Sequence, residues 1–388
     1  MTSKLPRFTF WRGVFLFVML AGMYAAWVRF TQGLGASTNL SDRFPWGIWI
    51  GFDVLCGVML AAGGFTLMAA VHILNVERFQ PIVRPTLLTA FLGYVLVVVA
   101  LLFDLGRPYR IWHPLVMWNP RSVMFEVAWC VMLYTTVLSL EFAPVVFERL
   151  RLERPMRILR AISIPLVIAG VILSTLHQSS LGSLYLIVPE KLHPFWYTPL
   201  LPVFFFISAI AVGLAMTIFE SSLSSKHFRR QLELPLLQEL GRILTVVLGV
   251  YLVLRLQDLY HRGALRKVLE PGYETWLFLL EMALALVVPL ILLLSRRLRE
   301  SRGGLYLAAV LVVLGFITNR LNVSITGMEA AAGVRYLPKW TEVAVTGAII
   351  AAGFFIFALA ARYLAIFPEE RVPLERPVPQ ELTHVAAD

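Results

Sequence analysis

An imidazole, an amide and three hydroxyl groups follow directly on an apolar segment in the run Leu176-His-Gln-Ser-Ser-Leu-Gly-Ser-Leu184. Polar side chains at the end of a membrane helix are costly to leave unpaired, so they usually line a cavity, a proton path or a ligand site. A histidine side chain ordinarily titrates near neutral pH, and His177 with Gln178 and Ser179 offers hydrogen-bond donors to carbonyl oxygens. These groups suit a quinone-like ligand, whose reduction takes two electrons and two protons. The alternative is a histidine that only forms hydrogen bonds at a helix end.

Three acids, Asp53, Asp104 and Glu126, lie near the ends of other apolar segments. A carboxyl group among apolar residues is costly, and a buried Glu126 is expected to carry protons. The alternative for Glu126 is an ion pair with Arg107 or Arg121 of the neighbouring loop. Asp104 is three residues from Arg107 and is expected to pair with it at the end of one helix.

Membrane-spanning helices are the elements that must position these residues. Of the 388 residues, 59% are apolar and only 15% are charged, and the mean hydropathy is +0.76. Soluble proteins carry charge on about a quarter of their residues. A helix that crosses the hydrocarbon core needs about 20 apolar residues. The sequence therefore predicts an all-α polytopic integral membrane protein with about ten transmembrane helices. They lie near residues 10–30, 46–74, 85–105, 122–147, 159–177, 199–222, 241–262, 273–295, 304–322 and 341–366.

The topology follows from the distribution of lysine and arginine. When the N-terminus is placed inside, the inner segments hold more of these residues than the outer ones, which favours both termini in the cytoplasm. Helices two and four then start at the outer leaflet, and helices three and five end there. We therefore expect Asp53, Asp104, Glu126 and His177 to converge at the outer face.

The helices divide into two groups along the chain. We expect one membrane domain, 1–388, in a bacterial or archaeal cytoplasmic membrane. It has four-helix bundles at 46–177 and 199–322, two peripheral helices, and a flexible cytoplasmic tail at 368–388. In the second bundle, opposite charges such as Asp258 and Arg255 are expected to satisfy one another.

Further polar residues lie toward the inner face. His72 is near the end of helix two, Glu141 near the end of helix four and Glu220 near the end of helix six. Together with Glu126, they form the hypothesis of a proton path across the membrane.

Metal centres and nucleic acid are not favoured. The chain has two cysteines, Cys56 and Cys130, whereas an iron–sulfur cluster takes about four thiolates. A b-type haem, the sharpest rival, needs facing histidines in one leaflet, but His72 is expected at the inner end and His177 at the outer end. The basic residues fall in short clusters between apolar segments, which is typical of helix ends at a lipid surface rather than of nucleic-acid binding.

Two other kinds of protein remain as alternatives. A passive membrane anchor predicts an apolar bundle without buried acids, against which Asp53 and Glu126 argue. A secondary transporter predicts broken helices at the midplane, and Pro165 and Pro289 suggest such breaks only modestly.

Several motifs together resemble the NrfD/polysulfide-reductase family of membrane subunits, and most of all its HybB type. They cover nearly the whole chain, with the most specific ones in the first six helices. The motifs are Phe44-Pro-Trp-Gly-Ile-Trp-Ile-Gly-Phe-Asp53, Pro81-Ile-Val-Arg-Pro85, Asp104-Leu-Gly-Arg107, Ser122-Val-Met-Phe-Glu126, Leu140-Glu-Phe-Ala-Pro144, the run that begins at His177, His193-Pro-Phe-Trp196 and Phe219-Glu220.

The resemblance implies a haem-free protein that exchanges electrons with a periplasmic, ferredoxin-like iron–sulfur subunit and binds menaquinone near that face. The catalytic metal then lies in other subunits, and the HybB type serves a nickel–iron hydrogenase. A sulfite-reduction-linked, polysulfide, formate or quinol-oxidising complex is the alternative. Glu126 matches the family's functional acid, and Asp53 and His177 match polar groups on the quinone side. The candidate quinone-binding residues are His177, Gln178, Ser179, Asp53, Trp46, Asp104 and Arg107.

Overall fold

Ten helices in the computed structural model are long and apolar enough to cross a membrane, which confirms the predicted all-α architecture. The structure describes residues 9–187, 189–228 and 231–367, and the predicted tail at 368–388 lies outside them. Within this part of the chain, extended pairing is limited to one bridge between Ser41 and Phe44. The spanning helices are α1 (Phe10–Gln32), α2 (Trp49–Ile73), α3 (Glu77–Asp104), α4 (Val123–Leu150), α5 (Ser163–Leu184), α6 (Leu201–Phe228), α7 (Leu234–His261), α8 (Tyr273–Leu294), α9 (Arg302–Ala332) and α10 (Trp340–Tyr363).

The helices pack as two rings and a peripheral pair. In the first ring α2, α3, α4 and α5 each contact the next, and α5 returns to α2. In the second ring α6, α7, α8 and α9 do the same, while α6 also packs on α2 and α5. Helices α1 and α10 pair with each other, α10 packs against α3, and Arg29 of α1 donates to the end of α3. The ends of α3 and α5 and the starts of α2 and α4 share one end of the molecule, which we name the outer end after the predicted topology.

Helix α2 lies at the centre and is irregular. In its most apolar stretch 72% of residues are buried, against 11% in α10. It has π-helical turns at Trp49–Val54 and Ala69–Ile73, with a short turn at 61–62 between them. Just after that turn, a Cβ added to Gly213 of α6 would lie only 2.8 Å from the backbone nitrogen of Gly63. The glycines at this crossing therefore permit close packing of α2 on α6.

The predicted boundary of α5 is wrong. The sequence predicts a helix that ends at His177, but the helix continues to Leu184. The serines do not end it because their hydroxyls bond back to the preceding turn: Ser179 Oγ lies 2.6 Å from the Thr175 carbonyl oxygen, and Ser180 Oγ lies 2.7 Å from that of Leu176. His177 therefore lies about 10 Å below the outer end of α5, inside the membrane span.

Candidate functional site

Glu126 lies in the first turn of α4, where it contacts α5 at the outer end. The Ser180 hydroxyl is 2.6 Å from Glu126 Oε1 and 2.7 Å from the carbonyl oxygen of Leu176. Because one hydroxyl hydrogen serves one acceptor at a time, Ser180 donates to the carboxylate when Glu126 is ionised. When Glu126 is protonated, Ser180 can instead accept from it and donate to Leu176. The contact is compatible with both protonation states of the acid.

The surroundings of Glu126 differ from the prediction. Its side chain is exposed rather than buried, so the expectation of a buried carboxyl group is wrong. No ion pair within the described residues includes Glu126, which also removes the pairing with Arg107 or Arg121. Water or a ligand at the outer end can therefore reach the carboxyl group directly.

Below Glu126 lies a cluster of polar side chains shared by α3, α4 and α5. The Tyr94 ring centroid is 4.7 Å from that of Tyr134 and 5.7 Å from that of His177. His177 and Gln178 are fully buried. We name the following residues the buried polar cluster: Tyr94, Tyr134, Ser174, His177 and Gln178.

Every member of the buried polar cluster has a polar atom without a hydrogen-bond partner in the described part of the chain. These atoms are the three hydroxyl oxygens, both ring nitrogens of His177 and Oε1 of Gln178, whose Nε2 donates to the Val58 carbonyl oxygen at 3.1 Å. Buried polar atoms in proteins are almost always satisfied by the protein or by ordered water. The chemistry of the cluster therefore suits water molecules or the oxygens of a polar ligand.

The polar groups of α4 and α5 follow one another along their interface. Glu126 meets Ser180 at the outer end, and Tyr134 lies beside Ser174 in the middle. Farther inward, Glu141 Oε1 is 3.7 Å from the position of a Cβ built on Gly170. Spacings of eight and seven residues place Glu126, Tyr134 and Glu141 on a similar face of α4. The interface thus carries polar groups from the outer end toward the inner end.

The other two inner residues lie elsewhere. Glu220 of α6 accepts a hydrogen bond from the Thr89 hydroxyl at 2.7 Å, and its buried Oε1 has no partner in the part of the chain that the structure describes. His72 lines a cavity of about 470 Å³ at the inner end, together with Val71, Asn75, Glu77, Gln80 and Ile164. Among the described residues, no hydrogen bond links Glu220 or His72 to the α4–α5 interface.

Asp53 and Asp104 face the peripheral helices. Asp53 is buried in the first π-helical turn of α2 and accepts a hydrogen bond from Thr346 of α10 at 2.7 Å. Asp104, at the end of α3, interacts electrostatically with Asp53 and with Arg29 of α1. Arg29 also donates to the carbonyl oxygens of residues 103 and 105, at 2.6 and 2.7 Å.

Of the four residues expected to converge at the outer face, only Glu126 and His177 lie close to each other. Glu126 and His177 lie within one helical turn of each other through Ser180, whereas the described hydrogen bonds direct Asp53 toward α10. The expected pairing of Asp104 with Arg107 is also wrong, since Arg107 is exposed and Asp104 interacts with Arg29 instead.

A second, mostly apolar cavity opens at the outer end, near the start of α4, and Glu126 is not among its lining residues. Its volume is about 220 Å³, and Met124 of α4 and Leu184 of α5 bring it within one turn of Glu126 and Ser180. Trp46 and Tyr185 form one wall, with ring centroids 5.5 Å apart. The remaining lining residues are Pro45, Ile187, Lys191, Leu192 and Met328. We name this space the outer cavity.

The acids of the second bundle have polar partners. The expected pair of Asp258 and Arg255 is 3.9 Å apart, and Arg262 is the nearer cation at 2.7 Å. Asp258 accepts from Thr198 at 2.6 Å and from Arg262 at 2.7 Å. Glu281 accepts three hydrogen bonds of 2.8 Å, from the side chains of Trp196, Asn319 and Asn322. Asp258 and Glu281 are thus held in hydrogen-bonded networks, although Nε of Arg255, Arg299 and Arg320 and Oε1 of Glu220 lack partners among the described residues.

The loop between the bundles supports that network. Burial lowers the pKa of His193, which favours the neutral ring. Its Nδ1 then accepts the backbone N–H of Phe195 at 3.3 Å, while the His193 backbone N–H donates to Gly327 at 2.8 Å. These contacts hold Trp196 in position to reach Glu281.

Sequence reasoning missed Tyr94 and Tyr134. Each lies in the middle of an apolar segment, where an aromatic residue usually packs through its ring. The phenolic hydroxyl is the sequence feature that could have identified them, because it needs a hydrogen-bond partner when it is buried far from both membrane surfaces.

Comparisons with known proteins agree with this architecture. The family described as "Polysulphide reductase, NrfD" matches residues 36–332. The chain is 34% identical to the "Probable Ni/Fe-hydrogenase 2 b-type cytochrome subunit" of Escherichia coli over 88% of each chain. It is 30% identical to the "Menaquinone reductase, integral membrane subunit" of Nitratidesulfovibrio vulgaris over 95% of this chain and 94% of that one. Identity to the "Hdr-like menaquinol oxidoreductase integral membrane subunit" of Archaeoglobus fulgidus is 23%, over 92% of each chain. The chain therefore belongs to the NrfD family of membrane proteins, and its resemblance to the HybB type is confirmed.

Proposed function

We propose that this chain is the quinone-reactive membrane subunit of a multi-subunit respiratory oxidoreductase. The observation that carries the proposal is the column of polar groups between α4 and α5, which begins at the accessible Glu126 and continues through unpaired buried atoms. Quinone reduction needs two protons for every two electrons, and the unpaired groups of this column include hydroxyl and imidazole groups that can pass protons, whereas those of the second bundle are three arginine Nε atoms and Oε1 of Glu220 among the described residues. The relative named as a menaquinone reductase subunit supports menaquinone as the substrate.

The outer cavity is the proposed binding place for the quinone ring. Trp46 and Tyr185 offer flat aromatic surfaces, and Met124 offers an adaptable apolar contact. Lys191 is the cation at its edge, available to a carbonyl oxygen. Glu126 exchanges protons at this site, because Ser180 supports it in either protonation state.

A proton route from the buried polar cluster joins the site to the interior. Tyr134 and Ser174 lie between His177 and Glu141, so hydroxyl groups and ordered water can pass protons along α4 and α5. His177 is the proposed donor to a polar ligand or water at the upper end of the cluster. In this proposal, Glu220 and His72 belong to a separate proton path near the inner end.

The proposed electron partner is a periplasmic iron–sulfur subunit that docks on the outer loop between α3 and α4. This loop carries Arg107, Arg110 and Arg121 and has no acid between 105 and 125. Trp118 is 64% exposed, and Trp129 fixes the loop by donating to the Pro114 carbonyl oxygen at 2.8 Å. Exposed aromatic and arginine side chains are typical of protein interfaces. A nickel–iron hydrogenase is the preferred catalytic partner, with the cytoplasmic membrane as location and both termini inside.

We propose that the chain holds no haem, although one relative is named a b-type cytochrome subunit. A b-type haem needs two histidines that face each other at one depth. His177 lies inside α5 toward the outer end, whereas His72 lies at the inner end of α2. The other described histidines, His113, His193, His227 and His261, lie in loops or at helix ends. The purified chain is expected to lack Soret and α-band absorption after reduction, and a stoichiometric haem spectrum abolished by His177→Ala would contradict the proposal.

The replacement Glu126→Gln tests the central claim. It keeps the size of the side chain and its contact with Ser180 but removes the exchangeable proton. In the assembled complex, quinone-dependent turnover is expected to fall by about 100-fold, the lower range for loss of a general acid or base. Turnover with a soluble artificial acceptor is expected to stay unchanged.

Glu148→Gln on the same helix is the matched control, since Glu148 is exposed at the inner end. Loss of both activities in Glu126→Gln would indicate damage to assembly. Loss of neither would favour a passive anchor, whose acids carry no protons.

A further inference from the structure

A short helix, Glu153–Ala161, joins α4 to α5 at the inner end and has a basic surface. Between residues 149 and 161 the chain has five arginines and one acid, Glu153. Arg154, Arg157 and Arg160 recur every three residues, so they lie on one side of the helix. All five arginines are exposed. We name this element the basic helix.

These arginines differ from other cations at the inner end. Arg84 pairs with Glu148 at 3.1 Å, Arg296 pairs with Glu300 at 2.9 Å, and Arg78 pairs with Glu239. Within the described chain, no ion pair includes any of the five arginines between 149 and 160. Arg160 has only a contact of 3.4 Å to the sulfur of Met156. Among the described residues, the basic helix therefore presents a concentrated charge that no ion pair neutralises.

Apolar side chains continue from the basic helix onto α5. Ile158 is 64% exposed and Ile162 is 40% exposed. On α5, Ile164, Ile168 and Ile172 are 58%, 45% and 54% exposed, and their spacing of four residues forms a stripe along the outward face. Arginines beside an apolar stripe match a lipid molecule, which has a charged headgroup and apolar acyl chains.

We propose that the basic helix binds the phosphate groups of anionic phospholipids, whose acyl chains lie along the isoleucine stripe of α5. Guanidinium groups donate paired hydrogen bonds to phosphate oxygens, and clustered arginines next to a membrane helix attract anionic headgroups. A protein partner fits less well, because the stripe runs into the membrane span.

The test uses the full-length protein in a neutral detergent, with dioctanoyl phosphatidylglycerol as the probe and dioctanoyl phosphatidylcholine as the neutral comparison. Native mass spectrometry counts bound lipids, and thermal unfolding measures their stabilising effect. We expect phosphatidylglycerol to bind more tightly than phosphatidylcholine. The triple variant Arg154→Gln, Arg157→Gln and Arg160→Gln is expected to lose roughly tenfold or more of that affinity.

The matched control removes three exposed arginines of the second bundle, Arg242, Arg297 and Arg302, each replaced by Gln. It is expected to bind phosphatidylglycerol like the native chain, and inorganic phosphate is expected not to compete. The triple variant Arg154→Lys, Arg157→Lys and Arg160→Lys is expected to keep most of the binding, because it retains the positive charge. The proposal would be overturned if the control variant lost as much affinity for phosphatidylglycerol as the triple variant, or if both lipids bound equally well. Full displacement of phosphatidylglycerol by inorganic phosphate would also overturn it.

Discussion

At the scale of single residues, the first bundle is defined by polar atoms that lack partners. Glu126 and His177 were visible in the sequence because acids and histidines are rare in apolar helices. Their relation became clear only through Ser180, whose hydroxyl connects α4 to the turn that carries His177. Tyr134 extends this connection inward, although nothing in its sequence neighbourhood separates it from an ordinary packing aromatic.

Tyr134→Phe separates a structural hydroxyl from a functional one. The native hydroxyl is buried and has no well-formed hydrogen bond to another described residue, so its removal is expected to leave the free energy of unfolding unchanged or slightly higher. A hydroxyl that passes protons is required for rate, and quinone-dependent turnover is then expected to fall by roughly tenfold or more. Thermal unfolding and turnover with quinone measure the two effects.

Tyr251→Phe in the second bundle is the control for the loss of a buried phenol, and it is expected to keep full turnover. A Tyr134→Phe variant that is as active as the native complex would remove this residue from the proton route. A large loss of stability would instead assign the hydroxyl a structural role.

At the scale of elements, the sequence predicts the number of helices well because the membrane has a fixed thickness. It predicts their details less well. Helix α5 extends past His177 because serine hydroxyls bond to the backbone of the preceding turn, which apolar run length does not register. The π-helical turn at Trp49–Val54 changes the direction of the Asp53 side chain relative to a regular helix. The prediction that Asp53 lies beside Glu126 and His177 used only its depth in the membrane and was therefore wrong.

At the crossing of α2 and α6, the two backbones lie so close that one added methyl group is expected to lower the stability of the protein. In Gly213→Ala, the new Cβ would lie 2.8 Å from the Gly63 nitrogen and 3.0 Å from the Ala62 carbonyl oxygen. Backbone atoms cannot move aside cheaply, so the free energy of unfolding is expected to fall by about 1–3 kcal/mol. Thermal unfolding of the purified chain measures this change.

Gly249→Ala provides the comparison within the same bundle. No atom lies within 4 Å of a Cβ at Gly249, and alanine favours the helix by about 0.5–1 kcal/mol. This variant is therefore expected to be as stable as the native chain or more stable. If both variants are equally stable, helices α2 and α6 can move apart without a loss of stability, which would contradict the prediction.

At the scale of the whole molecule, two rings of similar architecture differ in how their polar groups are satisfied. In the second ring, Glu281 and Asp258 accept hydrogen bonds from neighbouring side chains, and the described atoms that lack partners are mainly arginine Nε atoms. In the first ring, described polar atoms between Glu126 at the outer end and Glu141 toward the inner end lack hydrogen-bond partners. The sequence predicted charge pairing in the second ring because opposite charges lay at similar depths. It did not predict the division of acids in the first ring, since Asp53 and Asp104 serve contacts with α1 and α10 that are remote along the chain.

This division raises the question of which side of the membrane supplies the protons, and Glu141 provides the test. If protons reach the outer cavity from the inner side by way of Glu141 and Tyr134, each turnover moves charge across the membrane. Complex-containing proteoliposomes are then expected to generate a membrane potential, measured with a voltage-sensitive dye during quinone reduction. Glu141→Gln is expected to remove the potential and slow turnover, while Glu148→Gln, seven residues farther along α4, keeps both. Quinone reduction at full rate with a silent dye in the native complex would show that Glu126 takes its protons from the outer water.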